Sequence, residues 1–302
     1  MVEQKWCCVL AFKGKHTARK KANRLSSHGR SGVTESYTYD ANSNLTKVTS
    51  SGSGSGWADE YTYSGGLLLK MTRAGSAVMS GKNYWFVYDE MGNPVQYKTF
   101  SLSDSVNMTW SQGRYLSSYI YGSKSVSYRY DQNGIRYSKT VNGTETVYYL
   151  DGSRIMAEKT GDAVKYYYYD GTGIAAVREG NNFYYVEKNL FGDVVRVYDS
   201  AGTVVASYSY DAWGYPLETS GSKADLVPFR YRGYYYDAES SFYYLNSRYY
   251  DPEIRRFVNA DDIEIISELS SVLGGSTFIL TAIMIQLGIV IQAAIFGIQY
   301  WI

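Results

Sequence analysis

Three carboxylates stand close together late in the sequence: Asp261, Asp262 and Glu264. Paired acids are the chemistry of glycoside hydrolysis, in which one protonates the leaving oxygen and the other activates water or attacks the sugar. Nothing in the sequence sets the separation of these three. The only histidines are His16 and His28, and the only cysteines are Cys7 and Cys8, all near the N-terminus. From Val33 onward the chain therefore lacks histidine-based triads, thiol nucleophiles and histidine-bound metals. Acid pairs, lysines and tyrosines remain, and no cofactor or metal motif is present.

A second set of carboxylates recurs along the chain. Tyr-Asp pairs end at Asp40, Asp89, Asp131, Asp170, Asp199, Asp211, Asp237 and Asp251, with Ser64, Ser111 and Asp151 in degenerate copies. From Asp40 to Asp170 the steps are 19 to 25 residues, which marks a repeat architecture. The fullest copies are Tyr88-Asp89 with Gly92, Tyr130-Asp131 with Gly134, Tyr198-Asp199 with Gly202, and Tyr210-Asp211 with Gly214. Alternating residues before each Asp, such as Tyr128 and Tyr130, read as a strand with its rings on one face. The Asp caps a turn, the glycine supplies a positive φ, and a second strand follows. A catalytic or calcium-ligating role for these acids is the rival reading, but single carboxylates lack the ligand density of a calcium loop.

Tyrosine occurs 34 times, against 30 lysines and arginines together. Each buried ring removes roughly 150–250 Å² from water, so ladders of tyrosine in register stabilise a sheet. A tyrosine-rich face is also a candidate carbohydrate platform. About eleven hairpins make about 22 strands and a strip about 105 Å wide, which predicts an all-β sheet that stays hollow, spirals or pairs with more sheet.

The net charge of +1 leaves no nucleic-acid partner expected. It hides an asymmetry, because residues 1–32 carry Lys5, Lys13, Lys15, Arg19, Lys20, Lys21, Arg24 and Arg30 against Glu3 alone. They match no repeat and read as a disordered basic leader. The repeats are expected to start near Ser36, leaving the first strand with an unpaired edge. At the other end, residues 269–302 hold no charge. Residues 278–302, "FILTAIMIQLGIVIQAAIFGIQYWI", would reach about 37 Å as a helix and are a candidate membrane span. An apolar segment buried in the protein is the alternative.

Two stretches carry a family resemblance. "NLFGDVVRVYDSAGTVVASYSYDAWG" (189–214) precedes "FRYRGYYYDAESSFYYLNSRYYDPEIRRFVNADD" (229–262). Together they resemble the Rhs, or YD-repeat, family with its Rhs-associated core, including teneurin-like YD shells. The core signature falls on Arg230, Tyr231, Gly233, Tyr236, Asp237, Tyr243, Arg248, Tyr249, Tyr250, Asp251, Pro252, Arg256 and Phe257. The resemblance implies a hollow β-shell over residues 33–262, as in polymorphic toxins, insecticidal toxin cocoons and teneurins. It also implies a bacterial, secreted or cell-surface setting, and other YD-repeat segments or a C-terminal toxin cargo as partners. Two departures stand out. Arg255 occupies the position where the family pattern Asp-Pro-x-x-Gly-Arg-Phe has glycine. The downstream motif of family autoproteolysis has no counterpart, so no cleavage residue is assigned. The chain looks like the C-terminal part of a longer shell, or a truncated cassette.

Three readings follow. The first is a non-catalytic structural shell segment that scaffolds or carries a C-terminal cargo. The second is a membrane-anchored surface module that binds carbohydrate or mediates adhesion. The third is an enzyme using Asp261, Asp262 and Glu264.

Overall fold

A computed structural model describes residues 24–30, 32–52, 55–75, 83–99 and 104–259. The basic residues 1–23, the acids Asp261, Asp262 and Glu264, and the apolar stretch 278–302 lie outside the described residues. Among those described, no helix is long and apolar enough to cross a membrane.

The fold is all-β, as the alternation of tyrosines predicts. Helix among the described residues amounts to 3-10 turns such as Tyr231–Gly233. The described residues form two compact units, one within 24–87 with 98–99 and the other within 88–97 and 104–259.

The first unit contains β1 (Ser27–Arg30), β2 (Val33–Tyr39), β3 (Leu45–Gly52), β4 (Ser55–Ser64), β5 (Leu67–Gly75) and most of β6 (Asn83–Tyr88). Each pairs antiparallel with the next. Strand β1 corrects one expectation. It lies inside the supposed leader and pairs along β2, Ser27 opposite Ser36 through Arg30 opposite Val33. The strand before the first Tyr-Asp turn is therefore covered on that side. No periodicity announced β1, because its four residues Ser27, His28, Gly29 and Arg30 are too few to show alternation.

The second unit continues the pattern with β7 (Pro94–Lys98), β8 (Val106–Ser111), β9 (Tyr115–Tyr121), β10 (Lys124–Tyr130), β11 (Arg136–Val141), β12 (Thr144–Asp151) and β13 (Arg154–Thr160). It goes on through β14 (Ala163–Asp170), β15 (Gly173–Glu179), β16 (Asn182–Lys188), β17 (Val194–Tyr198), β18 (Val204–Tyr210) and β19 (Pro216–Ser220). Again each strand pairs with its successor. Its buried face carries Leu116, Val126, Tyr128, Tyr148, Tyr167, Val177, Tyr184 and Val197.

The core signature does not extend this hairpin series. It folds into a separate four-stranded sheet of β20 (Tyr235–Asp237), β21 (Phe242–Tyr244), β22 (Tyr249–Asp251) and β23 (Arg256–Phe257). This small sheet covers the tyrosine face of the larger one. Tyr119 meets Phe242 at 5.5 Å, Tyr148 meets Tyr235 at 5.5 Å, and Tyr167 meets Phe229 at 5.0 Å, each edge to face. That geometry suits the ring quadrupoles.

Candidate functional site

The repeated Asp side chains are built into their turns. In the turn after Tyr130, one Asp131 carboxylate oxygen accepts the amides of Asn133 (2.9 Å) and Ile135 (2.8 Å). The Asp131 amide donates to the Ile135 carbonyl, and the Gly134 amide returns to the Asp131 carbonyl. Asp89, Asp199 and Asp211 repeat this double cap with residues two and four further on. Asn189 does the same with its amide oxygen, which shows that the cap needs an acceptor rather than a charge. In a shorter turn, hydrogen bonds from the Thr172 hydroxyl and amide, then from Lys188, push Asp170 down to about 2.

The fourth turn residue lies in the left-handed region, with Gly134 at φ +75° and Gly214 at +84°. Space adds a second restriction at these two positions. A Cβ on Gly134 would stand 2.2 Å from the Tyr115 hydroxyl, and one on Gly214 2.5 Å from the Tyr231 ring.

The tyrosine before the turn ties each hairpin to its predecessor. A bulge falls just ahead of it, between Arg129 and Tyr130 for example, and re-aims the ring. Its hydroxyl then donates to a carbonyl at or just before the start of an earlier strand: Tyr39 to Leu25, Tyr63 to Leu45, Tyr130 to Leu116, Tyr169 to Ile155 and Tyr210 to Val194. Trp110 takes the same place in the degenerate copy, its indole N–H donating to the Pro94 carbonyl at 2.8 Å. The requirement is an aromatic ring with a hydrogen-bond donor at its far end. Tyr198 departs from the rule and donates to Glu187.

The cover seats on the last turn in the same way. Tyr231, Tyr250 and Tyr243 donate to the successive carbonyls of Ala212 (2.9 Å), Trp213 (2.8 Å) and Gly214 (2.8 Å). Arg230 stacks 3.9 Å over Tyr208 and donates to the Val227 and Ala224 carbonyls. Gly233 adopts φ +72° at the end of the 3-10 turn. Tyr236 packs on Tyr243 at 5.0 Å, and Arg248 lies 3.6 Å over Phe257. Asp251 caps Glu253, follows Tyr250 and precedes the buried Pro252, and stands opposite Arg256 in β22–β23.

At the centre is a charge cluster whose inner pair has no access to solvent. Arg136 and Asp237 are both 0 % exposed and form a two-pronged pair at 2.5 and 3.2 Å. Lys139 adds a bond to Asp237 at 3.1 Å and one to Glu239 at 3.0 Å. Five tyrosines surround the guanidinium: Tyr128, Tyr148, Tyr235, Tyr244 and Tyr249, with ring centres 4.2 to 5.9 Å away. The Tyr244 hydroxyl accepts the Arg136 amide, and the Tyr235 hydroxyl donates to Glu158 at 2.8 Å. Burial alone would raise the Asp237 carboxyl, but Arg136 and Lys139 overcome it and hold it below its ordinary value. Lys139 is likewise raised despite burial, chiefly by Asp237, and so stays an ammonium. Burial pushes Tyr244 and Tyr231 up to about 12, which keeps their hydroxyls protonated.

This arrangement holds two sheets together and pairs both Asp237 oxygens, while the buried Arg136 Nε has no hydrogen-bond partner. Asp237 is the one Tyr-Asp carboxylate whose role the sequence misread: it is an ion-pair partner, not a turn cap. Its partners Arg136 and Lys139, together with Glu158 and Trp110, carried no signal, since each sits in an ordinary strand of its own repeat. Among the described residues no cluster of three or more His, Cys, Asp or Glu could hold a metal ion. A cavity of about 250 Å³ opens beside the cover, lined by Arg154, Tyr169, Phe229, Tyr234, Leu245 and Asn246 among others.

Comparison with known proteins agrees with this construction. A model of the Teneurin YD-shell family matches residues 19–271. The tRNA3(Ser)-specific nuclease WapA of Bacillus spizizenii is 33% identical over 241 residues, 76% of this chain and 10% of that protein. The tRNA nuclease WapA of Bacillus subtilis is 32% identical over the same length and the same shares. The chain thus spans about a tenth of the length of these curated relatives. The crystal structure of TcdB2-TccC3-Cdc42 shares the fold, with a TM-score of 0.51 at 19% identity over 82% of this chain and 15% of that one. The resemblance seen in residues 189–214 and 229–262 holds, and the chain belongs to the teneurin YD-shell family.

Proposed function

We propose that this chain is a non-catalytic wall segment of a toxin-type YD shell, working as a scaffold or carrier for a C-terminal cargo in a secreted or cell-surface protein. One observation carries the reading. The recurring groups of the repeat are used in construction: the turn carboxylates by backbone amides, the hydroxyls of the tyrosines before the turns by carbonyls, and Asp237 by Arg136 and Lys139. The tRNA cleavage named for the Bacillus relatives is a property of those proteins, of which this chain matches about a tenth. Here that tenth corresponds to wall rather than to nuclease.

Other YD-repeat segments are the expected partners. Purified full-length chain, incubated with tRNA, should release no fragments. A cargo domain fused after residue 302 should resist protease once the chain is co-expressed with a second YD-repeat segment. Cleavage of tRNA that disappears on replacing Asp261 and Asp262 would overturn the non-catalytic reading. Equal protease sensitivity with and without the second segment would overturn the carrier.

A further inference from the structure

Arg24 and Arg154 hold the same place in two copies of the hairpin, and the two are used differently. Arg24 lies 4.9 Å over the ring of Tyr39, the tyrosine before its turn, and Arg154 lies 4.9 Å over Tyr169, the tyrosine before another. Each arginine precedes the residue, Leu25 or Ile155, whose carbonyl accepts that tyrosine's hydroxyl. In the first copy the guanidinium goes on to the following turn, where it donates to the Asp40 carbonyl and the Ser43 hydroxyl. The turn after Tyr169 is shorter, and its Asp170 is taken by Thr172 and Lys188. Asp151 stands opposite Arg154 on β12, but the guanidinium leans the other way, toward β14. Among the described residues it has no ion pair and no hydrogen-bond acceptor.

Arg154 faces the cavity of about 250 Å³ beside the cover. Ser153, Arg154 and Tyr169 line it from the wall, and Phe229, Tyr234 and Asn246 line it from the cover. Phe229 packs edge-on against Tyr169 with ring centres 5.9 Å apart, which makes the apolar part of the lining. The Tyr234 hydroxyl and the Asn246 amide have no protein partner among the described residues. Burial raises the Tyr234 hydroxyl, so it stays protonated and able to donate. The volume lies just below the roughly 300–1,000 Å³ of sites for drug-sized ligands. The space therefore suits a small molecule that is flat and apolar at one end and anionic at the other.

We propose that this cavity binds a small aromatic carboxylate. The aryl group lies against Tyr169 and Phe229, and the carboxylate takes the planar fork of Arg154, which matches that group in geometry and charge. A neutral aromatic would leave the guanidinium to water, and an aliphatic acid would forgo the ring contacts. The lining comes from both sheets, so the bound acid also bridges wall and cover.

The experiment is calorimetric titration of the full chain with indole-3-acetate, with indole and acetate as comparators. Indole-3-acetate should bind with a Kd on the order of 0.1 mM, and indole about tenfold more weakly. Acetate should give no measurable heat. Arg154→Gln should weaken indole-3-acetate by about tenfold and leave indole unchanged. The thermal midpoint should hold, because this side chain is exposed. Ser153→Trp, which fills the cavity from an exposed turn position, should abolish binding of both ring compounds. Equal affinity of indole and indole-3-acetate, or indole-3-acetate binding unaffected by either variant, would overturn the proposal. So would the absence of indole-3-acetate binding at concentrations on the order of 10 mM.

Discussion

The Tyr130-Asp131 turn and the Tyr236-Asp237 segment contain the same dipeptide and use it in opposite ways. Asp131 is partly solvated and spends one oxygen on two backbone amides of its own turn. Asp237 is sealed from water and spends both oxygens on the side chains of Arg136 and Lys139, about a hundred residues away in sequence. The first arrangement is local and repeats wherever the turn repeats. The second exists once, and it decides where the cover sits. The wall is thus made of many small interchangeable bonds, whereas the seam between wall and cover adds one concentrated charged site to its ring contacts and tyrosine–carbonyl bonds.

The difference in scale can be broken experimentally. Asp237→Ala would strand the buried Arg136 and leave Lys139 with Glu239 alone, and it should cost about 3–5 kcal/mol in denaturant titrations. The double variant Arg136→Met with Asp237→Leu should recover most of that loss, because a packed apolar pair avoids the desolvation of buried ions. If the double variant is as unstable as the single one, the seam depends on the charges themselves and not on filling the tyrosine cage.

Acid provides a second contrast. The Asp237 carboxyl is held below its unfolded value, so its contribution is present above the ordinary carboxylate range and is lost as pH falls through the folded value. Stability should decline below about pH 4, and the Arg136→Met, Asp237→Leu protein should decline less steeply there. Parallel slopes in pH-dependent thermal melts would assign the acid sensitivity to other groups.

Within the wall the expected effects are smaller. Asp131→Ala removes a double cap and should cost about 1–2 kcal/mol by chemical denaturation. Gly202→Ala and Gly214→Ala sharpen the same point. Both glycines have a positive φ near +80°, but a Cβ at position 202 meets open space, while one at 214 meets the Tyr231 ring. The first should cost about 1 kcal/mol and the second clearly more. The smallest effect lies at Arg255, which stands at φ +60°, the left-handed conformation for which glycine is suited. Arg255→Gly relieves about 1 kcal/mol of backbone strain while giving up a buried side chain, so it should cost less than Arg255→Ala in thermal or denaturant melts. That geometry also explains why the family pattern has glycine there.

Much of the wall was legible in the sequence for a plain reason. A β-hairpin with a capped turn is specified by neighbours in the chain: alternating side chains, an acceptor at the first turn position, and a residue tolerant of positive φ at the fourth. Tyr128, Tyr130, Asp131 and Gly134 announce all of this within seven residues. Even the degenerate copies fit once the requirement is stated physically, since Trp110 and Asn189 supply the same donor and acceptor. The cage around Arg136 had no such announcement, because its five tyrosines come from β10, β12 and the three strands β20, β21 and β22.

By itself, then, the sequence determined the class of fold, the position of most hairpins and the membership of the family, all of which rest on contacts between residues close in the chain. Tertiary structure decided that the core signature leaves the hairpin series to become a cover. It decided that Asp237 is a buried ion-pair partner rather than a cap. It also decided which tyrosines are covered by that sheet and which remain on the open face. Those outcomes depend on which surfaces meet after folding, and a residue's type and local spacing are the same on either side of a sheet.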